Sequence, residues 1–518
     1  MNEIGGDGRI EARSPANGTS PHKAIVAKEP KTYRVGTLTY TTGALAMLFF
    51  WLLWGNFCFQ LMESTVPSIM LLKFRALQIP NTVIGIVMGT IPGLFNMTLN
   101  PVISVKSDRC RSRWGRRIPF ILFTLPFLVA CLIGLAYSPQ LAAWLQRLLG
   151  PALRHLSPPM VALIVLATLM TLFAFFNTFV NSVYWYLFND VVPEHLLARF
   201  ISWFRLVGMG AGSLYGVFLL KHADSHAREI LLGAAVLYFF GFGLMCLKVK
   251  EGTYPPPDEA ERRPGFVANI KTYARECMGL AHYWYVFIIA MGMATLYVGY
   301  TFTLYYNLST GLTLDLIGKL GAISTASTLI SVPISGWLAD KYHPLRVLIV
   351  GLILSIVLMP LDLIWVFWQP PTMTVFWVRA AIATAIGWTG IGLPGGALIQ
   401  LVESPLLMRI LPRERYGQFC SAAAIFRSVS GILAGLLIGV YLDVLTAHWG
   451  SRVAYCLLPL WYLPGAALML FFMVKLFRSW QRYGGDETYI APVPGTHMSS
   501  SCPEPAVVMS PVAATKEE

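Results

Sequence analysis

The sequence predicts an all-α integral membrane protein with twelve transmembrane helices in two six-helix halves. Composition and length carry this prediction. Of 518 residues, 56% are hydrophobic and only 13% are charged, whereas soluble domains carry about a quarter charged residues. The chain has room for about a dozen segments of roughly 20 apolar residues, the length that crosses the hydrocarbon core. This composition excludes a disordered chain, a collagen-like fibre and a soluble multidomain enzyme.

Twelve apolar segments, separated by charged or Pro/Gly-rich breaks, are the predicted spans. The first six lie near residues 42–72, 82–104, 118–138, 159–188, 200–220 and 230–248, and the second six near 284–307, 318–338, 345–368, 375–402, 418–441 and 453–478. The breaks predict five regions: a disordered cytoplasmic tail (1–37), an N-terminal six-helix half (38–248), a cytoplasmic linker (249–280), a C-terminal six-helix half (281–478) and a second disordered cytoplasmic tail (479–518).

The net charge of +13 agrees with the distribution of basic residues that is expected of a membrane protein. If both termini are cytoplasmic, most Lys and Arg residues fall in the tails and in cytoplasmic loops, as the positive-inside rule requires. We therefore predict a multi-pass protein of the plasma membrane with no nucleic-acid partner. Between spans 3 and 4, Leu141, Trp144, Leu145, Leu148 and Leu149 recur at helical spacing, which predicts a helix lying on the outer membrane surface.

Cysteine and histidine give no sign of a disulfide framework or a metal site. The eight cysteines form no CxxC pair, and the nine histidines lie in tails or connecting segments. The chain also lacks an HExxH motif and a Walker-type phosphate loop, so metal and phosphoryl chemistry lack their usual residues. We predict no metal, no cofactor, no enzymatic activity and no obligatory protein partner.

The strongest local motif is the connection between spans 2 and 3, which reads KSDRCRSRWGRRIP over residues 106–119. Six basic residues surround a single acid, Asp108. A plain positive-inside anchor explains the basic residues but not the interspersed Asp, Gly and Pro. The alternative, which we favour, is a gate: an Asp at a helix end can bind a neighbouring helix N-terminus and pair with Arg.

On these residues the chain resembles the major facilitator superfamily. The longer form SDRCRSRWGRRIPF is similar to the branch of glycoside-pentoside-hexuronide cation symporters, plant sucrose-proton symporters and their animal relatives, and GWLADK at 336–341 looks like a degenerate second copy. The resemblance implies the twelve-helix major facilitator fold and a rocker-switch carrier. It also implies a cytoplasmic gate formed by Asp108, Arg109, Arg116, Arg117, Asp190, Asp340 and Lys341.

The chain departs from that branch at positions that bear on ion coupling. Melibiose-type symporters carry two acids one helical turn apart before the Pro of span 2, where this chain has Asn96 and Asn100 before Pro101. Plant sucrose carriers place an Asp within span 4, where this chain offers Asn177 and Asn181. Together these departures argue against sodium coupling and leave the identity of the sugar open.

Glu63 is the acid that the predicted spans place well inside the membrane. A charged group at the bilayer centre costs about 2.5–3.5 kcal/mol on insertion scales, so Glu63 calls for an explanation. One interpretation is an interhelical hydrogen-bond cluster. The other is proton coupling, in which Glu63 takes a proton outside and releases it inside. Arg427 in span 11 is the candidate partner that alters this proton affinity; its alternatives are a buried pair with an acid or a contact with sugar hydroxyls.

The remaining candidates for substrate contact are polar or aromatic groups within the spans. Amides at i and i+4 share a helix face and can donate and accept toward a polyol, although they also serve as contacts between helices. For Arg379, the alternative to substrate contact is snorkelling of the guanidinium to the membrane surface. For Trp388, the alternative is packing of its ring within the protein. These candidates are Asn56, Gln60, Asn96, Asn100, Asn177, Asn181, Arg379 and Trp388.

The sequence as a whole predicts a secondary active transporter working by alternating access. Its expected partners are a small polar solute (a sugar or glycoside), a proton and the lipid bilayer. A facilitator or exporter of another small solute is the alternative, because one fold hosts many functions.

Overall fold

The computed structural model describes residues 32–148, 155–253, 278–387, 406–412 and 416–492. Over these residues the chain is helical apart from one hairpin and the connecting turns. Ten of the described helices are long and apolar enough to cross a membrane, and helices in the eighth and tenth positions complete the predicted twelve. The predicted fold class is confirmed.

The first half contains spans 1 to 6. Spans 2, 5 and 6 each include one five-residue π-helical turn, a feature that occurs often at functional sites. In chain order the six spans are Thr42–Ala76, Asn81–Arg109, Ile118–Ala136, Pro158–Val191, Glu194–His222 and Ala227–Lys248.

The second half contains spans 7 to 12. The predicted continuation of span 10 as far as residue 402 lies outside the described residues. The helix of span 11 is kinked at Gly450, where φ is 79°. In chain order the six helices are Ala281–Ser309, Leu314–Tyr342, Pro344–Phe367, Thr372–Gly387, Tyr416–Cys456 and Leu458–Arg482.

Local side chains define where several helices begin. The Thr41 hydroxyl accepts a hydrogen bond from the Ala44 amide at 3.3 Å and so caps span 1. The Thr313 hydroxyl caps span 8 in the same way, through the Leu316 amide at 3.4 Å. Threonine is a favoured N-cap because its oxygen satisfies an amide that has no partner within the helix.

A β-hairpin precedes span 1. Strands β1 (Thr32–Val35) and β2 (Leu38–Thr41) pair antiparallel through a two-residue turn. Gly36 begins that turn with φ 54°, a conformation that glycine adopts without steric cost. The predicted disordered tail is therefore wrong for residues 32–37, because β-branched and aromatic residues alternate there and pair as strands.

The chain stays ordered after span 12. Beyond Arg482, the Tyr489 hydroxyl donates to the Ile410 carbonyl at 2.7 Å, and the Tyr283 hydroxyl donates to the Pro492 carbonyl at 2.5 Å. The predicted disordered tail is therefore wrong for residues 479–492, because its aromatic residues bind the ends of neighbouring helices.

The predicted surface helix between spans 3 and 4 is present as Ser138–Leu148. Trp144 and Leu148 are 57% and 61% exposed, so the helix presents an apolar face that the protein itself does not cover. Leu149 lies outside the described residues. The position of this helix on the outer membrane surface stays a prediction.

The core of the first half is aromatic and joins spans 1, 4, 5 and 6. The Tyr184 ring lies 5.1 Å from the Phe242 ring and 6.0 Å from the Phe204 ring, measured between centroids. Its hydroxyl donates to the Leu52 carbonyl at 2.6 Å. The buried hydroxyl thus has a partner, and the four helices are held in a fixed arrangement.

The two halves meet near the connection between spans 1 and 2, which we call the far end; residues 110–117 mark the opposite, motif end. A Cβ atom on Gly318 of span 8 would overlap the carbonyl oxygen of Gly216 of span 5. The Tyr305 hydroxyl of span 7 donates to the Leu71 carbonyl of span 1 at 2.5 Å. Spans 2 and 11 are equally close at this end. The structure is therefore closed at the far end.

Candidate functional site

The structure brings Glu63 of span 1 against Asn177 of span 4. The Asn177 amide donates to the Glu63 Oε1 atom at 2.6 Å, and both side chains are half-buried. A hydrogen bond to a carboxylate is stronger than a neutral one. Two residues that the sequence singled out separately thus form one polar contact inside the first half.

The other polar residues of span 1 face the glycine-rich side of span 5. Asn56 is fully buried, and its amide donates to the Phe204 carbonyl at 2.6 Å. A Cβ atom on Gly208 would lie 3.1 Å from the Gln60 Cγ atom, so Gln60 packs against the same helix. This geometry favours helix-to-helix contact for Asn56, whereas substrate contact stays a prediction.

Asn96 and Asn100 of span 2 form a short polar chain with span 4. The Asn100 amide donates to the Asn96 Oδ1 atom at 3.3 Å, and the Ser182 hydroxyl donates to the Asn100 Oδ1 atom at 2.5 Å. Asn96 and the neighbouring Asn181 are exposed. Amide donors and acceptors from spans 2 and 4 are therefore available to a polar solute.

The second half contributes polar groups on spans 7 and 11. Tyr297 of span 7 is exposed, and its ring centroid lies 5.9 Å from that of Tyr300. The hydroxyls of Thr295 and Ser430 lie 2.8 Å apart and join spans 7 and 11. Arg427 is half-buried, one helical turn before Ser430. The coupling of Arg427 to Glu63 stays a prediction.

Arg379 of span 10 is buried in the second half. It is 6% exposed, its Nη1 atom donates to the Asn307 Oδ1 atom at 2.5 Å, and its guanidinium lies 4.8 Å from the centre of the Tyr306 ring. Asp362 of span 9, an acid that the sequence did not single out, is half-buried in the same half. The snorkelling alternative is wrong, because Arg379 has its partners inside the protein. Trp388 lies outside the described residues.

At the motif end, the predicted gate residues of the first half form one charge cluster. Arg117 is 5% exposed; its Nη2 atom lies 2.5 Å from the Asp108 Oδ1 atom and its Nε atom 3.0 Å from the Asp190 Oδ2 atom. Arg116 also pairs with Asp190, whereas Arg109 is exposed at the end of span 2. The cluster ties the ends of spans 2 and 4 to the start of span 3.

Glu251, three residues beyond span 6, completes this cluster. Its carboxylate accepts hydrogen bonds from the backbone amides of Arg116 at 2.8 Å, Arg117 at 2.9 Å and Ile118 at 2.7 Å. Burial raises the pKa of Glu251, and the three amide donors offset part of that rise. The hypothesis that an acid binds a neighbouring helix N-terminus thus applies to Glu251, whereas Asp108 pairs with Arg117. The sequence signal, one acid just after a span, was too weak to reveal it.

The second half repeats this arrangement on its surface. The Arg409 Nη2 atom lies 3.1 Å from the Asp340 Oδ1 atom, and the Lys341 ammonium lies 4.9 Å from the centre of the Trp337 ring. At the start of span 9, the Arg346 Nη2 atom lies 2.5 Å from the Asp486 Oδ2 atom. Glu251 and Asp486 both follow the last helix of a half and bind the start of its third helix. This correspondence agrees with GWLADK at 336–341 as a degenerate second copy of the motif.

Two six-helix halves that meet at one end, with polar groups on spans 1, 2, 4 and 7, are an arrangement that occurs in secondary transporters. The chain belongs to the Major Facilitator Superfamily, whose sequence model matches residues 52–435. Family and fold point to a transporter rather than an enzyme.

Solved structures show the same fold at low sequence identity. A bacterial homolog of the human lysosomal transporter Spinster, in an inward-facing and unoccupied conformation, has a TM-score of 0.59 at 11% identity and covers 85% of this chain and 99% of that chain. The nucleoside transporter NupG has a TM-score of 0.55 at 12% identity, covering 84% and 98%. A D-xylose-proton symporter has a TM-score of 0.56 at 13% identity, covering 82% and 97%. No curated relative matches the chain by sequence.

Proposed function

We propose that this protein is a proton-coupled symporter of a sugar or glycoside. The hydrogen bond between Glu63 and Asn177 carries the proposal, because it places a titratable carboxyl among polar groups within the spans. Intramembrane ionisable residues are rare and mark ion or proton pathways by default. Asn177 holds the carboxylate in one orientation.

The choice of a polyol as solute is supported by the polar groups of spans 2 and 4. Asn96, Asn100, Asn181 and Ser182 offer amide and hydroxyl groups that both donate and accept, which suits a ring of hydroxyls. The D-xylose-proton symporter among the solved structures shares the fold, and the sucrose-symporter branch remains the proposed subgroup. Arg427 is proposed to act on Glu63 or on the solute as the halves move.

The proposed setting is the plasma membrane, with both termini and the motif end in the cytoplasm. Arg109, Arg111 and Arg113 are exposed at the motif end, in agreement with the positive-inside rule. In this orientation the described state is closed toward the outside. The charge cluster around Arg117 is then a cytoplasmic gate element, which holds three helix ends of one half together while the halves rock.

The test is uptake of labelled glycosides into proteoliposomes with an imposed pH gradient, acidic outside. We expect uphill accumulation of at least one sugar, which dissipating the gradient abolishes. Glu63→Gln should lose accumulation and keep exchange of labelled for unlabelled solute, because the amide cannot carry a proton. Glu229→Gln is the matched control, since Glu229 is exposed at the start of span 6.

Two results decide against the proposal. Unchanged accumulation by Glu63→Gln removes Glu63 as the proton carrier. Nucleoside uptake without any sugar uptake, measured in the same vesicles, favours the alternative of a facilitator or exporter of another solute.

A further inference from the structure

Span 2 begins without a cap from its own half. Its N-cap position is Pro80, and no side chain at that position binds the first turn. The amides of the first turn of a helix have no partner within the helix, so a side chain, water or a ligand has to satisfy them. Here the partner comes from the other half.

Asp443 of span 11 supplies that cap across the two halves. Its Oδ1 atom accepts from the Asn81 backbone amide at 2.7 Å and the Asn81 side-chain amide at 2.9 Å. Its Oδ2 atom accepts from the Thr82 backbone amide at 2.8 Å and the Thr82 hydroxyl at 2.6 Å. Four hydrogen bonds to one carboxylate at the positive end of a helix form a strong, directional contact.

Neighbouring contacts hold Asp443 in register. The Tyr455 hydroxyl donates to the Asn81 Oδ1 atom at 2.8 Å, and so orients the amide that faces Asp443. The Thr90 hydroxyl donates to the Ile432 carbonyl at 2.8 Å, about two turns further along span 2. Spans 2 and 11 are thus in contact at two positions along their length.

A cavity of about 780 Å³ adjoins this contact at the far end. It is lined by residues of both halves, including Arg75 and Asn81 of the first and Asp443, Arg452 and Tyr455 of the second. When the halves part, water entering through this cavity can take over the hydrogen bonds of the amides and the carboxylate. The contact is therefore stable while the far end is closed and can be exchanged for water when it opens.

We propose that Asp443 stabilises the closed far end. The contact of Asp443 with Asn81 and Thr82 then sets the fraction of protein molecules in which this end is closed. Opening separates Asp443 from Asn81 and Thr82, whereas the charge cluster of the motif end lies within the first half and is unaffected. The inference rests on the proposed alternating access and is independent of the identity of solute and ion.

The experiment follows opening directly, without a transported solute. Ile84 is 1% exposed and lines the same cavity, so Ile84→Cys reports on opening of the far end. The full-length protein carrying Ile84→Cys is reconstituted in nanodiscs and reacted with a charged, membrane-impermeant maleimide. Labelling of the peptide that contains position 84 is measured by mass spectrometry, so the native cysteines stay in place.

Asp443→Ala should raise the labelling rate at position 84 by roughly tenfold, which corresponds to the loss of one net charge-assisted hydrogen bond. Asp443→Asn keeps one acceptor oxygen and should give a smaller rise; it replaces Asp443→Ala if that variant does not fold. Asp315→Ala is the matched control, because Asp315 lies at the same end but pairs with Lys319 of its own helix at 2.6 Å. The control should label at the parent rate.

A double-mutant cycle assigns the effect to the contact. Thr82→Val alone should also raise the labelling rate, and adding it to Asp443→Ala should give little further increase, because the two side chains act through one interaction. Equal labelling rates for Asp443→Ala and the parent would overturn the proposal, and so would full additivity. Either result leaves the symport proposal standing, since that is decided by uptake.

Discussion

The Glu251 carboxylate accepts a hydrogen bond from the backbone amide of Ile118 at 2.7 Å, and so caps span 3 from a residue 133 positions away. Removing this carboxylate leaves three amides at the start of the helix without their partner. We expect Glu251→Ala to lower the free energy of unfolding by about 1–2 kcal/mol, the range for loss of a strong cap. A thermal unfolding midpoint in detergent measures it. Glu229→Ala, at an exposed position, should be neutral; equal losses in both variants would refute the cap.

The pairing of Arg117 with Asp190 predicts that removing Arg117 lowers the stability more than removing the Glu251 carboxylate does. Both side chains are nearly buried, with 6% and 8% exposed, and removing one partner leaves a charge with poor compensation. Arg117→Ala should cost about 3 kcal/mol, the lower end for breaking a buried ion pair, because Arg116 still binds Asp190. The thermal midpoint should fall accordingly. Arg113→Ala, which removes an exposed arginine of the same loop, should change it little.

His343, between spans 8 and 9, predicts a pH dependence. Burial, helped by the charges of Arg409 and Arg346 and opposed by Asp486, lowers its pKa to about 4. Its Nδ1 atom accepts from the Leu345 amide at 3.3 Å, so the neutral ring caps span 9. The folded pKa is below the unfolded value of about 6.5, so the stabilising contribution is present above about pH 6.5 and is lost as the pH falls toward 4.

Thermal midpoints measured from pH 7 to pH 4 test this expectation. His343→Asn keeps an acceptor, tolerates the positive φ of 70° at this position and cannot titrate in this range, so its midpoint should fall less over this range. His222→Asn, at an exposed position, should retain the parent's pH dependence. A parent profile that is flat between pH 6.5 and 4 would exclude the role of His343.

Two glycines of span 11 form a matched pair for testing the contact between the halves. A Cβ atom on Gly435 would lie 2.7 Å from the Thr90 backbone nitrogen and 2.9 Å from the Gly85 carbonyl oxygen, whereas one on Gly431 meets nothing within 4 Å. Gly435→Ala should therefore force spans 2 and 11 apart and lower the thermal midpoint. Gly431→Ala should be neutral or stabilise by up to about 1 kcal/mol through helix propensity. Identical shifts would show that this contact is absent.

The sequence predicted correctly those features that depend on the residues of one segment. Long apolar segments predicted the twelve-helix fold class, and the charge pattern at 106–119 located the cluster around Arg117. The sequence does not reveal the hairpin at Thr32–Thr41 or the contacts of Tyr489, because hydropathy carries no information about either. Such short segments become ordered only when the helix ends they contact are already in place.

Taken alone, the amino-acid sequence determined the membrane class, the twelve-helix fold class, the motif that marks the superfamily and the position of Glu63 within a span. These features depend on the free energy of transferring side chains from water to lipid, which is set by the residues of each segment alone. Only the tertiary structure decided that Asn177 binds Glu63, that Arg379 lies with Asn307, that Glu251 caps span 3 and that Asp443 caps span 2. Those contacts join residues 72 to 362 positions apart, so they exist only once the helices are packed.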